Sequence, residues 1–358
     1  MPRSLTPVFL AAVCCAAAQL EVRADPWIDG QKKQNPRYQG PKLRLAVKFL
    51  PGPHSLQRTV NTKETVSAVG RTMVKMQSSF SIFGDVDIPK PGPDGAQELA
   101  FTCRRVKYSL AVDNRALRCD TDAPEEKQAK EVGPIFSAFV GWKGTVQAHR
   151  GALTRPQGME KLTERIQAAK AGAQAEQMTA RLGARMREFL AELLVEHWGN
   201  LIPTTPVGPG DVWKVKMPAR SVPFLGKTEF DGECLLRDIE EVEGSKVAVL
   251  DFAIRATVEN QPVDLAALGP APEWATAKIV KMSVWNIGTA HFNIALGLST
   301  DVNVNGEATG GVTVEVEGRK TAMDLEVEVR ARNLLTRRKE PAAAPARASA
   351  PQTERGNP

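Results

Sequence analysis

Residues 321–332 read Thr-Ala-Met-Asp-Leu-Glu-Val-Glu-Val-Arg-Ala-Arg. Met323, Leu325, Val327, Val329 and Ala331 take one parity, and Asp324, Glu326, Glu328 and Arg330 take the other. Extended backbone points successive side chains to opposite faces, so this run predicts a strand with one dry side and one wet side. Similar runs precede it at His291 to Ala295, Leu298 to Val304 and Val312 to Val316, with breaks at Leu296-Gly297, Gly306 to Gly311 and Gly318. The breaks are too short for parallel crossovers, so neighbouring strands are expected to pair antiparallel.

The same reading extends upstream. Val212 to Lys216, Thr228 to Leu236 and Lys246 to Val258 are strand-like, with a turn at Glu240 to Gly244 before the last. There Ala248, Leu250, Phe252, Ile254 and Val258 share one face, with Asp251 and Arg255 on the other. Gln261 to Ala277 is a Pro-containing excursion. In the first half, Leu43, Leu45, Val47 and Phe49 alternate with Arg44 and Lys48, which predicts a strand over 43–50 that Pro51-Gly52-Pro53 ends. Arg58 to Val69 and Arg71 to Phe83 follow, then a loop from Pro89 to Gly95. Glu98 to Val112 changes parity at Arg104-Arg105, which predicts a β-bulge. Asp113-Asn114 turns the chain back through Ala116 to Cys119, and Asp120 to Lys130 is a charged loop.

One segment has the helical period. Over Gly158 to Trp198, Leu162, Ile166, Ala169 and Ala173, then Leu182, Met186, Phe189, Leu190, Leu193 and Leu194, recur three or four apart. Gly172 and Gly183 each cost about 1 kcal/mol relative to Ala, so a kink is expected near 172–178. Gly144-Thr145 and Gly288-Thr289 each open a similar strand and turn, a weak internal echo. The expected fold class is α+β, mostly β. Two related antiparallel β units, 42–157 and 200–333, would be joined by the helix at 158–199.

The ends have their own signatures. Arg3, the apolar run Val8 to Ala18 and the small residues Ala16-Ala17-Ala18 form a signal peptide over 1–18, with cleavage before Gln19. Val22-Arg23-Ala24 is a second candidate site, and Cys14 or Cys15 would be the acceptor if the leader were lipidated. The run falls short of the about 20 apolar residues of a membrane-spanning helix. The expected location is therefore exported, periplasmic or extracellular, with no transmembrane segment. Residues 19–41 read as a flexible lead-in and 334–358 as a disordered basic tail. Of the net charge of +6, residues 330–358 hold seven basic against two acidic groups, or +5. A nearly neutral body without a basic helix argues against nucleic-acid binding. Cys103, Cys119 and Cys234 survive processing. Hairpin register would leave Cys103 five or six residues from Cys119, at about 3.3 Å per residue, so no bridge between them is expected.

Four stretches carry a family resemblance: Val106 to Asp122, Phe139 to Val146, the helix leading to Pro203, and Pro206-Val207-Gly208-Pro209-Gly210-Asp211-Val212-Trp213. In these the chain resembles an uncharacterised bacterial family of secreted proteins, a domain of unknown function, from about Leu43 to Arg332. It departs from that pattern at Cys119 and Pro209. The family implies no activity and no site residues. The architecture is also similar to the half-barrel of periplasmic lipoprotein carriers, an analogy of fold alone.

No catalytic, cofactor or metal residue is nominated. His54, His149, His197 and His291 sit in ordinary turn, helix-end or strand positions, and the sequence lacks the spacings of zinc sites. It lacks a Gly-x-Ser-x-Gly elbow and a phosphate loop; Gly306 to Gly311 reads as a hairpin turn. Asp238 to Glu241 and Glu315 to Glu317 read as solvated acids, and Trp142, Trp198, Trp213, Trp274 and Trp285 as core anchors. The functional expectation is a non-enzymatic envelope protein whose concave aliphatic sheet holds a lipid, an acylated peptide or a protein partner. A structural or interaction module is the alternative, favoured if no apolar cavity exceeds about 300 Å³. A divergent hydrolase would need His149 or His291 beside a carboxylate and a hydroxyl.

Overall fold

Burial along the 321–332 run follows its alternation. Met323 and Leu325 are buried while Asp324 and Glu326 are exposed. The strand is longer than the run, spanning Arg319–Arg337 as β12. The computed structural model describes residues 28, 31, 36–68, 71–112, 115–130, 132–149, 152–153, 157–169, 201–222, 226–263, 276–316 and 318–338. The expected signal peptide, most of the lead-in, residues 170–199 of the expected helix, residues 264–275 of the expected excursion and residues 339–358 of the tail lie outside them, while Gln261 to Val263 and Thr276 to Ala277, expected in that excursion, are strand residues.

Within the described residues the chain forms β1 (Gly52–Ala68), β2 (Arg71–Ile88), β3 (Ala96–Val112), β4 (Arg115–Asp120), helix α1 (Gly133–Ser137), β5 (Lys143–His149), β6 (Ala152–Leu153) and helix α2 (Met159–Ala168). β7 (Val212–Val222), β8 (Gly226–Val242), β9 (Ser245–Val263), β10 (Thr276–Asn293) and β11 (Leu298–Val316) follow, and β12 completes the set. The twelve strands form one antiparallel sheet ordered β6-β5-β3-β2-β1-β12-β11-β10-β9-β8-β7, with β4 pairing the far end of β3. The expected pair of β units joined by a long helix finds no support. β1 pairs with β12 from His54↔Arg337 to Ser67↔Asp324, which fuses the first and last strands into one continuous surface.

Several local expectations hold. β2 and β3 slip register where Phe83 faces Arg105 and Gly84 faces Cys103, which leaves Arg104 as the extra residue of the bulge. Tyr108 pairs with Cys119, so Cys103 lies five residues along β3 from the partner of Cys119, and all three cysteines are free. The Glu240 to Gly244 turn is a tight hairpin closed by Val242↔Ser245, with Glu243 and Gly244 at φ 48° and 74°.

Two expectations fail for physical reasons. Leu43–Leu50 is not a strand of the sheet; it is an extended strap that makes one isolated bridge, Leu43↔Val207. Its alternation is real, since Leu45 and Phe49 are buried, but alternation reports which side chains leave water, not which backbone pairs with it. The Pro51-Gly52-Pro53 segment starts β1 rather than ending a strand. Likewise Gly306 to Gly311 is no turn, because β11 runs unbroken through it. Gly306 and Gly310 face the same side of the sheet as Gly84, Gly232 and Gly288. A Cβ on Gly288 would lie 2.5 Å from Phe252 Cζ, and one on Gly84 2.5 Å from Phe101 Cζ. Each phenylalanine ring thus covers a glycine on the next strand, and the missing side chains let the sheet bend toward that face.

That face is concave. Leu99 on β3 and Phe292 on β10 are five strands apart in the sheet, about 24 Å if it were flat, yet they line one cavity. The concave face carries the apolar parity of every long strand. At one end α1 and α2 cover it: Phe136 packs on Tyr108 with ring centroids 4.8 Å apart, and Leu162 and Ile166 add one turn of helix face. The convex face of β1, β11 and β12 is polar. Its Lys63–Glu328 and Arg332–Asp301 pairs, both 2.7 Å, are exposed enough to be worth no more than about 1 kcal/mol each. Stability therefore comes from the concave side.

Candidate functional site

The strap positions the site. Arg37 and Tyr38 donate backbone N–H groups to the Asp238 carboxylate on the convex side. The chain then rounds the end of the sheet, where Lys42 Nζ meets Asp211 Oδ2 at 2.7 Å and Leu43 exchanges two backbone hydrogen bonds with Val207. Leu45 packs among Leu201, Val207 and Phe292, and Phe49 among Leu56, Leu99 and Leu298. The Lys48 amide donates to Gly297 O at 2.9 Å, and buried Gln97 Nε2 donates to Phe49 O at 2.8 Å.

Between strap and sheet lies an apolar cavity of about 40 Å³. Val47 and Phe49 form its strap wall. Leu56 of β1, Val86 and Ile88 of β2, Leu99 of β3, Phe292 of β10, Leu298 and Val302 of β11 and Leu335 of β12 form the remainder, with Gly297 at the turn. Among the described residues the wall has two polar side chains, Ser299 and Asn333, and no charged one. Asn333 Oδ1 is buried without a hydrogen-bond partner. The wall offers one unsatisfied amide oxygen and no charged side chain of its own; Arg58 of β1 is the cross-strand partner of Asn333 on the same face.

Asn333 is not singled out in the sequence, although it leaves a mark there. Continued past Ala331, the dry parity of β12 goes to Asn333 and then Leu335, so a polar side chain interrupts an otherwise aliphatic stripe. Gly297 was read as a turn glycine, which it is, at φ +67°. Its contact with the strap has no local signal.

The residues weighed for chemistry lie elsewhere. His54 is in β1, not a turn; its Nδ1 lies 3.0 Å from Gly52 O, and burial lowers its pKa. His149 falls in β5 opposite Ala96, and His197 is outside the described residues. Trp142 and Trp213 anchor loops by donating Nε1–H to Gly158 O and Leu201 O, both at 2.8 Å. Glu315 pairs with Lys320.

On the convex face, His291 does share a neighbourhood with carboxylates and a hydroxyl. Asp251 on β9 is fully buried, accepts from Arg237 at 3.0 Å and from Thr289 Oγ1 at 2.7 Å, and has its pKa raised by burial. His291 follows two residues after Thr289 and faces Asp301, which holds Arg332. The Thr289 proton is committed to a carboxylate, so the hydroxyl is arranged to hold Asp251 in place. A nucleophile would instead present its proton to the imidazole. Among the described residues no group of three His, Cys, Asp or Glu is placed to hold a metal ion, and no helix is long and apolar enough to cross a membrane.

No protein-family model and no curated protein matches the chain, which is compatible with its resemblance to an uncharacterised family. Among solved structures it is similar to lipovitellin, in a structure concerned with lipid–protein interactions, at 7% identity and a TM-score of 0.38 over 84% of this chain. The chain spans only 27% of that lipovitellin. It is also similar to OpdQ of Pseudomonas aeruginosa, at 5% identity and a TM-score of 0.23 over 80% of this chain and 100% of that one. For the outer membrane protein OprG of the same organism the values are 6%, 0.18, 82% and 100%. TM-scores this low carry no weight for function.

Proposed function

We propose that this chain is an exported, non-enzymatic envelope protein that holds a neutral acyl or alkyl chain on its concave face, with Asn333 meeting the uncharged polar end. The observation that carries this reading is the wall itself: aliphatic and aromatic side chains from six strands converge on a cavity whose one buried orphan is an amide. The neutral character of the head rests on the lining itself, which holds no charged side chain among the described residues. An alcohol or N–H amide head would satisfy Asn333 by donating to its Oδ1. Export rests on the leader-like residues 1–18, and the non-enzymatic part on Thr289 being held by Asp251.

The cavity volume favours the second reading, a structural or interaction module. At about 40 Å³ the cavity is far below the roughly 300 Å³ of the smallest ligand sites. Native mass spectrometry of the protein purified from its exporting host separates the two. A retained neutral species with an alkyl chain, released on denaturation, supports the acyl reading. A clean polypeptide mass that also fails to take up a neutral dye leaves the structural module.

A further inference from the structure

If the concave face takes an alkyl chain, its cavity is too small as it stands, and one wall must move. Most of the walls are strands. β1, for example, is hydrogen-bonded to β2 on one side and β12 on the other along its length. The strap is held differently. Among the described residues its polar ties from Lys42 to Phe49 are the Lys42–Asp211 ion pair, the Leu43–Val207 bridge, the Lys48–Gly297 bond and the Gln97 amide on Phe49 O. Few hydrogen bonds and a short buried stripe mark the segments that open first.

We propose, on the footing of the acyl reading above, that the strap is a displaceable plug: Val47 and Phe49 occupy the place of the ligand chain, and the site opens when residues 43–50 lift away from Gly297. The plug is aliphatic and aromatic like the chain it replaces. Its seat is specific. Gly297 turns at φ +67°, and a Cβ there would stand 2.5 Å from the Lys48 nitrogen, so only glycine lets the strap lie flat on this turn. Leu45 at one end and the Gln97 bond at the other fix where the strap returns when the cavity empties.

Gly297→Ala tests this. It pushes on Lys48 and breaks the bond from its amide, whereas Gly318→Ala, at φ +75° with nothing within 4 Å of its Cβ, imposes the same kind of turn strain with no strap beneath it. Two readouts are taken on the full chain: hydrogen exchange of the Leu43 and Lys48 amides, and binding of the neutral dye N-phenyl-1-naphthylamine. Affinity scales with the open fraction, so Gly297→Ala should speed exchange about tenfold and tighten dye binding by a similar factor, with Gly318→Ala matching wild type. Val47→Ala, which leaves the turn intact, should also tighten dye binding. Faster exchange in Gly297→Ala with unchanged dye affinity would overturn the plug while leaving the acyl site standing. Unchanged exchange would overturn its seat on Gly297. No dye binding by wild type or any variant would remove the acyl site and the plug together.

Discussion

Gly288→Ala probes the curvature on which the site depends. The new methyl would lie 2.5 Å from Phe252 Cζ and even closer to the carbonyl oxygen of Asn303 on β11. The ring can yield at some cost in packing, but the backbone of a paired strand yields only if the sheet flattens. Overpacking of this kind costs about 1–3 kcal/mol, and we expect about 2 kcal/mol for Gly288→Ala. Phe252 is fully buried, so Phe252→Leu alone should cost roughly 1 kcal/mol. In the double variant the shorter side chain relieves part of the clash. The sum of the single effects should therefore exceed the measured double effect by at least 0.5 kcal/mol, the coupling expected of residues in contact. Urea unfolding followed by fluorescence of Trp142, Trp213 and Trp285 reads all four corners of the cycle. Strict additivity, or a neutral Gly288→Ala, would refute the claim that Phe252 and Gly288 shape the bend.

Three further outcomes follow from single groups. Burial pushes the Cys103 thiol up to about 12 and Cys119 to about 11, so neither should react with iodoacetamide at pH 8 in the native protein, and all three cysteines should react after unfolding. The hydrogen bonds from Arg105 hold the Asp120 carboxyl down at about 2. Its contribution is present above the unfolded carboxylate value near 3.8 and lost as pH falls through about 2. The stability gap between wild type and Asp120→Asn should therefore be constant from pH 7 to 5 and close in stronger acid; a gap that widens there would contradict the pairing. Asn333→Leu should stabilise the empty protein by about 1 kcal/mol in urea unfolding, because it removes an unsatisfied buried amide from an apolar wall.

Local physics made much of the architecture legible. The β12 alternation, the bulge at Arg104 and the separation of Cys103 from Cys119 each depend on residues a few positions apart, and each was read correctly. The pairing of β1 with β12 depends on residues such as Thr62 and Val329, which no local pattern connects. That is why one sheet was read as two units. The strap and the Gly306 to Gly311 stretch failed in opposite senses. In the strap, a buried alternating face stood in for a ladder that does not exist. In β11, glycines that usually break strands serve to make room on a concave surface, a tertiary demand invisible to propensity. The concave aliphatic face was foreseen in outline. Its cavity was not, because its lining comes from six strands and the strap, and only the polar Asn333 in the β12 stripe left a trace in the sequence.

The central claim is that strands from both halves of the chain share one concave apolar face that receives an alkyl chain. Photolabelling with a monoacylglycerol bearing a diazirine on its chain, followed by peptide mapping, addresses it directly. The account predicts labels within 47–56 and 86–99 from the first half, and within 292–302 and 333–335 from the second, competed away by unlabelled monoacylglycerol. Labels confined to one half, or scattered over convex-face residues such as Asn303 and Arg332, would contradict it.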